Sequence, residues 1–162
     1  MNQNCVMESE IDTASGPISV MELSYFLYHF RVAYVAALHV RDERGIKEIS
    51  SEEEADMFAN EVAEYLSKID TFQIRNFALL QLIDNEDLTF LNINRRNPLD
   101  IVFGGVAIAL TAAVILSGGD FKLGPLHVKL PPLGKGIAEL RKALKGIRTP
   151  KNQPDNKYEP TP

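Results

Sequence analysis

Residues Pro98 to Gly119 read PLDIVFGGVAIALTAAVILSGG, and the way this stretch folds decides what kind of protein the chain forms. From Ile101 to Gly119 there are 19 residues without a charge, close to the ~20 apolar residues that an α-helix needs to cross a hydrocarbon layer. Pro98 suits a first helical turn, where its missing N–H has no intrahelical partner to lose. Asp100 lies close enough to the end to reach water. The stretch therefore predicts one continuous transmembrane helix over 98–119, lined by Pro98, Ile101, Phe103, Val106, Leu110, Val114 and Leu116. The competing reading buries the same helix on all sides in a soluble fold or homo-oligomer, but a chain this short has few elements with which to cover it. Within the stretch, Gly105, Ala109 and Ala113 recur every four residues, a small-residue pattern that lets helix backbones approach closely and predicts self-association.

Upstream, residues 18–97 read as a small α+β domain. The run SVMELSYFLYHFRVAYVAALH, Ser19 to His39, places Leu23, Leu27, Phe30, Tyr34 and Ala37 at helical spacing, with Phe26 and Leu38 widening the stripe. Glu22, His29 and Arg31 interrupt it. Arg31 at a membrane centre would cost ~3 kcal/mol, so the run predicts the buried central helix of a folded domain. A charged loop, Arg41 to Glu48, precedes Ser50-Ser51-Glu52-Glu53-Glu54, a capping box opening a second helix whose apolar line is Phe58, Val62, Tyr65, Leu66 and Ile69. Phe72 to Ile83 fits either a short helix or a strand. Leu88 to Asn94 (LTFLNIN) alternates like a strand, and if Ala78 to Ile83 is also extended the two form a hairpin across the turn that begins at Asp84. Residues 1–17, MNQNCVMESEIDTASGP, are polar and predict a disordered leader. They lack the basic and apolar regions of a signal peptide, and Asn2 stands where a myristoylation signal requires glycine.

Downstream, residues 120–148 predict a short strand around Val128, ended by Pro131-Pro132, and a last helix from about Gly136 to Ile147 with Ile137, Leu140, Leu144 and Ile147 as its apolar line. Lys135, Arg141, Lys142, Lys145 and Arg148 give that helix the basic face of a membrane-surface element; a helix docked on the protein with its basic face in water fits equally well. Residues 149–162 are proline-rich and polar and predict a disordered tail.

Charge is unevenly spread. Met1 to Gly119 holds 8 Lys/Arg against 18 Asp/Glu, and Asp120 to Pro162 holds 9 against 4. An acidic front half argues against nucleic acid as a partner, and the basic end suits an anionic lipid surface. Arg95-Arg96 on one side of the apolar stretch and Lys122, Lys129 and Lys135 on the other leave the positive-inside rule without a decision. A front domain folded before the apolar stretch emerges is hard to translocate, which places it in the cytoplasm.

Residues that carry chemistry are sparse. The single cysteine, Cys5, cannot form an intramolecular disulfide or a thiolate zinc cluster, and His29, His39 and His127 have no metal-ligand spacing. Gly134-Lys135-Gly136 lacks the rest of a phosphate loop, and Asp84, Glu86 and Asp87 lack the frame of a calcium loop. No catalytic, metal or cofactor residue is assigned. The sequence predicts a non-enzymatic membrane protein whose partners are lipid and another protein or further copies of itself. An effector that perturbs membranes, as toxins or defence proteins do, is compatible with the same layout. The alternative is a soluble α+β interaction module that assembles as a homo-oligomer.

Overall fold

The computed structural model describes residues 4–13, 17–80, 82–83, 85–95, 98–121 and 127–146. They form four strands and five helices in the order β1 (Asn4–Ile11), α1 (Val20–Arg44), α2 (Glu52–Lys68), α3 (Thr71–Leu79), β2 (Thr89–Arg95), β3 (Leu99–Val106), α4 (Ala107–Leu116), β4 (His127–Leu130) and α5 (Leu133–Leu144). The strands make one sheet of order β2-β3-β1-β4, with β1 antiparallel to β3, β2 antiparallel to β3, and β4 parallel to β1. The fold class is α+β.

The sheet is packed on one face. Met7, Ser9 and Ile11 of β1, Leu99, Ile101 and Phe103 of β3, and Val128 and Leu130 of β4 are buried, whereas Val6, Glu8, His127 and Lys129 on the opposite face are exposed. That alternation is what a sheet with one covered and one wet face requires. Over the covered face runs α1, the central helix, against which α2, α3, α4 and α5 all pack. The Ser19 hydroxyl caps its start by accepting from the Glu22 amide at 3.3 Å, and Gly45, at φ 63°, supplies the left-handed residue that ends it. Because neighbours surround α1, its sequence from Val32 to Leu38 is apolar almost all round. Ring stacking of Phe30 on Phe103, with centroids 5.0 Å apart, joins it to the sheet.

The apolar stretch 98–119 is not a transmembrane helix. It divides into β3 and α4, and among the described residues no helix is long and apolar enough to cross a membrane. The ten residues of α4 rise only about 15 Å. Two physical features explain the break. Ile101, Val102 and Val106 are β-branched, and Gly104 and Gly105 sit where neighbours press on the backbone: a Cβ on Gly104 would lie 2.8 Å from the Thr89 hydroxyl oxygen, and one on Gly105 would lie 2.9 Å from that of Tyr34. A buried strand followed directly by a buried helix reads as one uninterrupted apolar run. The membrane location, with its cytoplasmic front domain, rested on that span and is corrected with it.

Two further expectations change, and one left open between helix and strand is resolved. Asn4 to Ile11, in the expected disordered leader, is a strand lying between β3 and β4. Its pairing partners lie in β3 and β4, far along the chain, so no local pattern announces it. Residues 71–79 are helical, started by a capping box in which the Gln73 amide donates to the Asp70 carboxylate at 2.8 Å and the Asp70 amide donates to the Gln73 side chain at 3.1 Å. The strand at Leu88–Asn94 exists as β2, but its hairpin partner is β3 rather than 78–83.

Candidate functional site: an open sheet edge

Three side chains of α1 fix the segment that leads from α3 into β2. The Arg31 guanidinium donates to the Phe77 and Ala78 carbonyls at 2.7 and 2.9 Å and to that of Leu80, and it pairs with Asp87 at 3.0 Å. It thus satisfies the carbonyls that a helix end leaves without partners. Arg41 pairs with Glu86 at 3.2 Å and Asp42 at 2.7 Å. Between them the fully buried Tyr34 hydroxyl donates to the Glu86 carbonyl and accepts from the Val106 amide at 2.9 Å. Burial pushes the Tyr34 hydroxyl up to about 12, so it stays protonated and can donate at neutral pH. Glu86 and Asp87 are therefore structural partners of α1 arginines, and Asp84 lies outside the described residues.

This anchoring delivers β2 to the edge of the sheet. Among the described residues only β3 pairs with it. The pairing carries a bulge between Phe90 and Asn92, where Leu91 is the extra residue. Thr89 and Leu91 lie over Gly104 on the wet face, and Asn92 opposite Val102 shares that face. Phe90 and Ile93, opposite the buried Phe103 and Ile101, point to the covered face instead, yet they remain 52 % and 51 % exposed. The helical layer stops short of β2, so an apolar stripe that belongs to the core lies open to water. Phe90 continues an aromatic row through Phe103, at 5.5 Å between centroids, to Phe30. Leu91, at 55 %, adds apolar surface on the other face.

The opposite edge differs. The four-residue strand β4 carries the exposed His127 and Lys129, and the Asp120 amide donates to the Lys129 carbonyl at 3.0 Å, closing that edge where the bridge forms. The imidazole of His127 lies 3.5 Å from the Glu8 carboxylate and 3.4 Å from that of Glu10 through different ring nitrogens, so the carboxylates flank it and do not converge on a shared point. Charged, short, bulged or covered edges resist strand addition; β2, seven residues long, has its bulge and a single charge, Arg95 at its end, and is uncharged from Thr89 to Asn94.

The residues singled out in the sequence fall elsewhere. Pro98 is half-buried ahead of β3, and Ile101, Phe103, Val106, Leu110, Val114 and Leu116 line the core. Gly105 faces Tyr34, and Ala109 and Ala113 are fully buried in α4, which packs on α1 and α2, so their small size serves packing within the chain. On α5, Lys135, Arg141, Lys142 and Lys145 are exposed, while Leu133, Gly136, Leu140 and Ala143 are buried against the fold. The helix is docked on the protein, with the Arg141 guanidinium 5.9 Å over the Tyr25 ring; Arg148 lies outside the described residues. Cys5 lines a shallow depression of about 220 Å³ beside Asp87, Thr89 and Gly104, and burial pushes its thiol up, away from the reactive thiolate. Among the described residues, no group of three or more His, Cys, Asp or Glu is placed to hold a metal ion. Comparison with protein-family models, with curated proteins and with solved structures finds no match to this chain.

Proposed function

We propose that the protein is a non-enzymatic interaction module that docks an extended segment of a partner along β2. The observation that supports this reading is the combination on one strand of a backbone edge without a pairing strand among the described residues and an exposed apolar face, Phe90 and Ile93. Strand addition draws affinity from main-chain hydrogen bonds and specificity from alternate side chains, and both resources are present here. Arg31, Tyr34 and Arg41 hold the approach to the strand, so little backbone order has to be gained on binding.

The reading is tested with a synthetic peptide of the strand's own sequence, TFLNINR, titrated into the isotopically labelled full-length chain. Docking at β2 predicts amide shift changes confined to Thr89–Arg95 and its neighbour β3, abolished by Ile93→Lys, with that variant's remaining spectrum unchanged. Changes centred on another element, or none at saturating peptide, would contradict it.

A further inference from the structure

The bulge in β2 has a geometric consequence for self-pairing. In a regular strand, neighbouring residues point to opposite faces, so a two-fold axis perpendicular to the sheet must pass through a residue. Here Leu91 and Asn92 share the wet face because one extra residue is inserted between the register at Phe90 and that at Asn92. An axis between Leu91 and Asn92 then matches faces along the strand. It sets Phe90 opposite Ile93 of the second copy on the apolar side, and Leu91 opposite Asn92 and Thr89 opposite Asn94 on the wet side. An axis through Ile93 would instead fail at the bulge.

Charge points the same way. The chain carries a formal net charge of −5, but Thr89 to Asn94 contains no charged side chain. Two copies meeting along this strip bring no like charges into opposition, and a strongly charged partner finds no counter-charge on it. The other sheet edge, with His127 and Lys129 exposed and Asp120 bridged to it, offers no comparable self-compatible surface.

We infer that the occupant of β2 is a second copy of this chain, paired antiparallel about a two-fold axis between Leu91 and Asn92, so that two four-stranded sheets join into one of eight strands. The inference rests on the docking reading above and adds the partner to it. Phe90 and Ile93 of each copy then interleave into a four-residue apolar cluster continuous with Phe103 and Phe30 of both, an isologous contact that closes on itself.

The test uses the full chain in a Cys5→Ser background. Chains carrying Thr89→Cys and chains carrying Asn94→Cys are oxidised separately and as an equal mixture, and covalent dimers are read by non-reducing electrophoresis and mass spectrometry. The mixture gives the 89–94 disulfide in several-fold excess over the dimers formed by either variant alone, because only residues 89 and 94 lie opposite each other across the axis. In parallel, sedimentation equilibrium of the wild-type chain shows a monomer–dimer equilibrium that Ile93→Lys weakens about tenfold or more. Covalent dimers in which 89–89 or 94–94 disulfides predominate overturn the inference. A chain that stays monomeric into the high micromolar range, yet binds the TFLNINR peptide at β2, overturns the second copy and leaves strand docking standing. A dimer indifferent to Ile93→Lys overturns the second copy at β2, and strand docking falls with it if the TFLNINR peptide also leaves the β2 amides unshifted.

Discussion

Tyr34 ties the approach to β2 into the buried core. Its hydroxyl is shared between the Glu86 carbonyl and the Val106 amide, so it ties the turn before β2 to the junction of β3 and α4. Removing the hydroxyl in Tyr34→Phe takes that partner from the part-buried Glu86 carbonyl and the buried Val106 amide, and a loss of about 2 kcal/mol of stability is expected in urea unfolding. Its titration adds a signature. The folded-state value, about 12, lies above the ordinary tyrosine value, so the contribution is complete below about pH 10 and is lost as pH rises towards 12. Between those limits the wild-type chain loses stability more steeply than Tyr34→Phe, by a difference of about 2 kcal/mol. Equal slopes for the two chains would exclude this role. None of this was readable in the sequence, where Tyr34 occupies one position in an apolar helical stripe and its two partners lie 52 and 72 residues away.

At the scale of elements, β1 and the β3–α4 pair show why some segments were legible and others were not. The central helix, the capped helix after Ser51 and the short strand before Pro131-Pro132 carry local signals, namely spacing, capping side chains and turn residues, and the structure has all three. In β1 the buried positions are Met7, Ser9 and Ile11, one of them a polar residue that becomes acceptable only because its hydroxyl donates to the Ile101 carbonyl at 2.8 Å. An alternation built on serine, between glutamates, looks like a polar leader. β3 and α4 fail in the opposite sense, since both are so thoroughly buried that no polar residue marks the boundary between them. A direct consequence follows for β1: Met7→Ala, which would cost nothing in a disordered leader, destabilises the protein by about 2–4 kcal/mol because Met7 is 2 % exposed in the sheet core. Chemical denaturation decides this, and a change within a few tenths of a kcal/mol would argue that β1 does not pack.

For the whole molecule, the sheet draws strands from the start, middle and end of the described chain, while one edge is left uncovered. The expected separation into a leader, a head domain, a membrane helix and a basic end gives way to five helices gathered on one face of a single sheet, with α1 at their centre. The small-residue repeat of Gly105, Ala109 and Ala113, read as a self-association face, is consumed by packing inside the chain. The self-association proposed above lies instead at β2, whose LTFLNIN sequence was legible as a strand but whose exposure depends on where the helical layer ends, a property of the assembled fold alone.

Amide hydrogen exchange of the wild-type chain at increasing protein concentration tests self-pairing at β2 most directly. Unpaired edge amides exchange through small local openings, and pairing slows them. Self-pairing at this edge predicts that peptides covering Thr89–Arg95 gain protection as concentration rises while those from β4 and α5 do not change. Concentration-independent exchange in β2, accompanied by new protection on another surface, would contradict it.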